Sequence, residues 1–96
     1  MERKEQMNAL LFDAKVILEE LELDAMTWEH RYYNECSRLQ DLKSLDAFFS
    51  TKETRQAVRK SERRIHKYKT IIFKMFDKVD VYRHMVNAMQ KAYEIG

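Results

Sequence analysis

The chain has no proline, and its single glycine, Gly96, is the last residue. Small β domains need tight turns, and tight turns draw on those two residues. Their absence argues against sheet architectures and leaves helices free to run long. Without glycines there is no loop to cradle a phosphate. One cysteine, Cys36, cannot form a disulfide within these residues or build a thiolate cluster, which fits a reducing compartment. No apolar run approaches the roughly 20 residues that cross a bilayer. The start, Met1-Glu2-Arg3-Lys4-Glu5, is charged and no signal-peptide core follows it. A cytoplasmic location is therefore expected.

What is present points one way. Leu, Glu, Lys, Arg, Met and Ala are abundant, and they favour helix. At 45% apolar, the chain is too hydrophobic to stay disordered. Ninety-six residues support one small domain. From Val58, apolar residues recur at Ile65, Ile72, Val79, Val86 and Tyr93, and again at Tyr68, Met75, Tyr82 and Met89. Ser61 is the only polar member of that series. The alternating steps of three and four make a heptad seam, and a seam needs a partner helix.

The first half supplies one. Met7, Leu11, Ala14, Leu18, Leu21, Ala25, Trp28, Tyr32, Leu39 and Leu42 repeat the alternation, interrupted only by Glu35. The pattern predicts an all-α fold, an antiparallel two-helix hairpin of coiled-coil type. The first helix is expected over about 4–46, a turn over about 47–51 and the second helix over about 51–93. Asp24 and Thr27 are each able to cap a new helix, so any break in the first helix is expected there. Ser50 followed by Glu53 reads as a capping box. Phe48 and Phe49 are expected to fold back over the end of the hairpin.

An antiparallel pairing can be checked by number. Met7 with Tyr93, Leu11 with Met89, Ala14 with Val86, Leu18 with Tyr82, Leu21 with Val79, Ala25 with Met75, Trp28 with Ile72 and Tyr32 with Tyr68 all add to 100. The midpoint is Ser50, where the turn signal lies. Two positions do not fit: Glu35 falls opposite Ile65, and Ser61 opposite Leu39. A buried carboxylate needs a partner, so either a nearby arginine supplies it or the seam loosens there.

More apolar residues are present than one seam can bury. Phe12, Val16, Leu23 and Met26 form a second face on the first helix, with Leu10 and Ile17 widening the seam. Ile71, Phe73, Phe76 and Met85 do the same on the second. The surplus predicts an oligomer interface at Phe12, Val16, Leu23, Met26, Phe73, Phe76 and Met85, most simply a homodimer forming a four-helix bundle. The competing arrangement is three or four shorter helices folded within one chain.

Charge is divided along the chain. Residues 1–50 carry six Lys/Arg against eleven Asp/Glu, and residues 51–96 carry twelve against five. The basic residues crowd at Lys52, Arg55, Arg59, Lys60, Arg63, Arg64, Lys67 and Lys69. Arg55, Arg59, Lys60, Arg63, Arg64 and Lys67 are the candidate anion- or partner-binding residues. A solvated helix face would carry the same charges. His30 and Tyr33 lie in the facing part of the first helix and are candidates for stacking on bases.

Signals for catalysis are weak. His30, His66 and His84 are far apart in sequence, and Cys36 beside a seam is best read as a small hydrophobe. Glu19, Glu20, Glu22 and Asp24 read as a solvated face or as a run attracted to Lys74 and Lys78 across the hairpin. No catalytic residue, metal, cofactor, membrane or small-molecule substrate is expected. The expected function is a non-enzymatic dimeric interaction module, of the kind a bacterial or phage regulator uses. The alternative is a nucleic-acid-binding protein that works through the stripe Arg55–Lys69.

Overall fold

A computed structural model describes the backbone of residues 2–95 and the side chains of residues 5–94. Two helices, α1 (Glu2–Phe49) and α2 (Lys52–Ile95), pack against each other as an antiparallel hairpin, and no strand occurs among the described residues. The seam read from the sequence is the buried side of each helix except at its last position, Tyr93, which is 37% exposed near the open end of the hairpin. Residues 7, 11, 14, 18, 21, 25, 28, 32, 35, 39 and 42 of α1 all lose exposure, as do 58, 61, 65, 68, 72, 75, 79, 82, 86 and 89 of α2.

α1 does not break at Asp24–Thr27. Ala25 and Trp28 keep the seam in phase through that stretch, and no proline or glycine interrupts the ladder. The same lack of breakers carries α1 past residue 46 to Phe49, so the turn is only Ser50 and Thr51.

The turn is built differently from the Ser50–Glu53 capping box. Ser50 takes the left-handed conformation, with φ 43°. Its N–H donates to the Asp46 carbonyl at 2.8 Å, and its hydroxyl donates to the same oxygen at 3.0 Å. A single backbone bond from the residue after the helix back to the fourth residue before it is the αL ending, usually built with glycine. Thr51, not Ser50, then caps α2. The Thr54 N–H donates to Thr51 Oγ1 at 3.1 Å, and the Thr51 N–H donates to Thr54 Oγ1 at 3.0 Å. This reciprocal pair is a capping box shifted by one residue, with a threonine where a glutamate usually stands.

The Thr54 hydroxyl has one proton and two acceptors, Asp46 Oδ1 at 2.7 Å and the Thr51 carbonyl at 2.9 Å. The shorter, charge-assisted bond to the carboxylate is the stronger claim on it. It clasps α1 to α2 at the turn. Phe48 and Phe49 take no part in this clasp and do not fold back: they are 87% and 67% exposed. The polar bonds close the turn without them.

The chain divides into two compact units. One comprises residues 26–73 and contains the turn; the other comprises 1–25 and 74–96 and contains both ends. In the turn unit, the Trp28 and Tyr68 rings lie 5.7 Å apart with their planes tilted by 56°. Arg31 covers the Trp28 ring at 4.7 Å, and Lys69 approaches the Tyr32 ring at 6.0 Å. The two misfits of the seam answer each other. Ser61, only 1% exposed, donates its hydroxyl to Glu35 Oε1 at 2.8 Å. Arg64 Nη1 stands 3.8 Å from the same oxygen. The buried carboxylate thus has the arginine it needed and a hydroxyl besides.

In the terminal unit the fully buried residues are small or β-branched: Ala14, Ala25, Val79 and Val86. Leu11, Leu18, Leu21, Met75, Tyr82 and Met89 are half-buried. A seam between two helices can enclose a short side chain, but it leaves the outer edge of a long one in water. Glu22 Oε1 pairs with Arg83 at 3.4 Å rather than with Lys74 or Lys78, and Arg83 also stands 3.7 Å from Asp80.

Candidate functional site

The basic stretch of α2 belongs to the turn unit, which carries eleven Lys/Arg against six Asp/Glu, a net +5. Its six candidate residues, Arg55, Arg59, Lys60, Arg63, Arg64 and Lys67, are all exposed, but they do not share one job. At about 100° per residue, Arg55 and Arg64 fall on the flanks of the α2 seam. Both are used inside the hairpin. Arg55 donates through Nε to the Thr51 carbonyl at 3.3 Å and through Nη2 to the Ser50 carbonyl at 3.5 Å. Arg64 pairs with Glu35.

The other four sit roughly 130–170° from the seam, on the back of α2. Arg59, Lys60, Arg63 and Lys67 have no carboxylate within 4.0 Å among the described residues. Three shallow depressions follow one another along this face. Lys52, Arg55, Gln56 and Arg59 line the first, Gln56, Arg59, Lys60 and Arg63 the second, and Arg59, Glu62, Arg63 and His66 the third. Arg59 is common to all three. The face is a row of unneutralised guanidinium and ammonium groups, the arrangement that phosphates or carboxylates would occupy. Tyr33 is exposed but belongs to α1, where it packs edge-on against Tyr32 at 5.4 Å. The three depressions are lined by α2 residues alone, so Tyr33 and His30 do not extend the row, although Lys60 also reaches the groove toward α1.

A wider groove of about 370 Å³ opens where the helices meet, lined by Arg38, Leu42, Lys60 and Arg64 with Glu35 and Ser61 at its floor. The floor groups already satisfy each other, so the groove presents cations at its rim and no free buried group.

The candidate oligomer-interface residues are exposed as well, except Val16, which is half-buried. Phe12 is 67% and Phe73 71% exposed, and Leu23, Met26, Phe76 and Met85 also face solvent. On α1 the residues Phe12, Val16, Leu23 and Met26 make one stripe on the far side from the seam, at spacings of helical period. On α2 they do not. Phe73 and Phe76 lie on one flank of the seam, and Ile71 and Met85 on the other. In an antiparallel pair the flank of α1 bearing Leu10 and Ile17 adjoins the flank of α2 bearing Met85. The terminal unit therefore has an apolar side made by both helices, in addition to the back of α1. Grouping the residues by closeness in sequence hides this division.

The described residues bring no reactive cluster together. No three of His, Cys, Asp and Glu approach closely enough to hold a metal ion. His30, His66 and His84 are exposed, and Cys36 is a half-buried free thiol. Among the described residues, no helix is long and apolar enough to cross a membrane. No protein-family model, curated protein or solved structure matches the chain.

Proposed function

We propose that the chain is a non-enzymatic helical binding module that acts as a homodimer and regulates through the surfaces it pairs. The observation that carries this reading is apolar surface that the hairpin does not cover: in the terminal unit Phe12 and Leu23 are exposed on the back of α1, and Leu10, Ile17 and Met85 on the side made by both helices. Exposed apolar faces of this kind mark surfaces that a partner covers. A second copy laid against the back of α1 completes a four-helix arrangement.

Sedimentation equilibrium across micromolar concentrations tests the reading. The expected result is a reversible dimer that Phe12→Ser with Leu23→Ser converts to a helical monomer. A well-folded monomer throughout the range counts against it, and so does turnover of a substrate by the purified chain.

A second reading is favoured by a separate observation, the four unpaired cations on the back of α2. They suit a nucleic acid contacted through its phosphates. Reversing Arg59, Arg63 and Lys67 to Glu is then expected to abolish binding in a shift assay while leaving helicity intact. Arg64 is omitted from that set because its reversal would put a second carboxylate beside Glu35. Binding that survives the reversal removes this reading.

A further inference from the structure

The tip of the hairpin carries an apolar group that the fold does not use. Leu45, Phe48 and Phe49 are spaced three and four residues apart at the end of α1, which places them on neighbouring positions. Leu45 is 44% exposed, and both phenylalanines are far more so. The turn is closed entirely by polar atoms of Asp46, Ser50, Thr51, Thr54 and Arg55. Large apolar side chains left this exposed at one end of a helix point to a surface that covers them. Directly after them come Lys52, Arg55 and Arg59, which line one depression, in a unit of net charge +5.

From this conjunction we infer that the hairpin tip docks on an anionic lipid surface. Phe48 and Phe49 enter the boundary between headgroups and acyl chains, and Lys52 and Arg59 lie against the acidic headgroups. The charge sign selects the lipid, since basic groups gather anionic headgroups within a Debye length of the surface. The size of the patch selects a bilayer over a protein. Three side chains at a two-residue turn offer far less than the roughly 800 Å² per side of a stable protein interface. A membrane needs only the wedge, because it closes around whatever is inserted. The expectation of no membrane partner rests on the absence of a spanning segment, and a wedge that stays in one leaflet needs no such segment. The inference rests on neither the dimer nor the nucleic-acid reading, since it uses residues that neither of them uses for apolar contact.

The test is co-sedimentation of the full chain with phosphatidylcholine vesicles, with and without phosphatidylserine. Binding is expected only where phosphatidylserine is present. It is expected to fall at least tenfold in Phe48→Ser with Phe49→Ser and at least tenfold in Lys52→Gln with Arg59→Gln. Circular dichroism controls for folding, and the Phe pair is exposed enough to be replaced without loss of helix. A second variant, Phe48→Trp in a Trp28→Phe background so that it carries the one tryptophan, gives a positional readout. Its emission is expected to shift to the blue on vesicles and to be quenched by lipids brominated on the acyl chain. Absence of vesicle binding overturns the inference, as does binding unaffected by loss of both phenylalanines, or emission from the Phe48→Trp variant that brominated lipids leave unchanged. Binding to a DNA or RNA duplex that requires Phe48 and Phe49, without binding to vesicles, overturns it in favour of nucleic acid.

Discussion

Ser50 holds a backbone conformation, φ 43°, that a residue with a Cβ avoids at a cost of roughly 1 kcal/mol. Its hydroxyl offsets part of that through the bond to the Asp46 carbonyl. Ser50→Gly removes both the cost and the offset. The expected balance is a gain of about 0.5 kcal/mol in chemical denaturation, whereas Ser50→Val destabilises by more than about 1 kcal/mol because a β-branched side chain fits this conformation worst. Thr54→Ala is expected to cost about 1–2 kcal/mol, since it removes the reciprocal cap and the clasp to Asp46 together. At Glu35 and Ser61 the expectation runs in opposite directions for single and double changes. Ser61→Ala strips the carboxylate of its hydroxyl partner, and Glu35→Leu leaves the hydroxyl buried without an acceptor; each is expected to cost about 1–3 kcal/mol. Combining them replaces a buried polar pair by an apolar seam and is expected to match or exceed the parent by about 1–4 kcal/mol. A double-mutant cycle in urea measures the difference, and additive single costs would show that the pair is not coupled.

Within each helix, the seam carries the stability and the remainder carries the surfaces. Val79 is 3% exposed and Val81, two residues on, is 56% exposed. Val79→Ala is expected to cost about 2 kcal/mol, and Val81→Ala less than about 0.5 kcal/mol. Equal losses at the two positions would disprove the seam assignment. This much was legible in the sequence because the period of a seam is read from residue type alone: Ala14, Ala25, Val79 and Val86 are buried where the alternation places them. The ends were less legible. A capping signature depends on which of several adjacent hydroxyls turns inward, and Ser50, Thr51 and Thr54 offer three choices within five residues. Phe48 and Phe49 defeat the sequence reading for a related reason. Hydrophobicity alone suggests burial, but the polar clasp leaves them no surface to fold onto. Of the basic candidates, spacing puts Arg55 and Arg64 on the flanks of the seam and Arg59, Lys60, Arg63 and Lys67 behind it. What the two flank residues meet depends on the positions of Glu35 and of the Ser50 and Thr51 carbonyls, which only the folded helices define.

At the level of the molecule, charge follows the two compact units. The unit with the turn has a net +5, and the unit with the ends has seven Lys/Arg against ten Asp/Glu, a net −3. Arg59, Lys60, Arg63 and Lys67 set the salt response if they are the contacts to a duplex. With four phosphates neutralised, the slope of log affinity against log salt is expected near about −3.6, or about a hundredfold weakening between roughly 50 and 200 mM salt. A filter-binding titration reads the slope. A value near zero would mean that the back of α2 makes no phosphate contacts.

The Asp46–Thr54 clasp joins side chains only eight positions apart along the polypeptide, and every pairing further up the seam encloses a longer stretch. Closing a short loop loses the least chain entropy, so refolding has an economical place to begin and can then zip outward through contacts that become progressively less local. The absence of proline removes the slow isomerisation that delays many small proteins. Stopped-flow mixing should therefore show one fast phase, slowed by Thr54→Ala far more than by Val86→Ala.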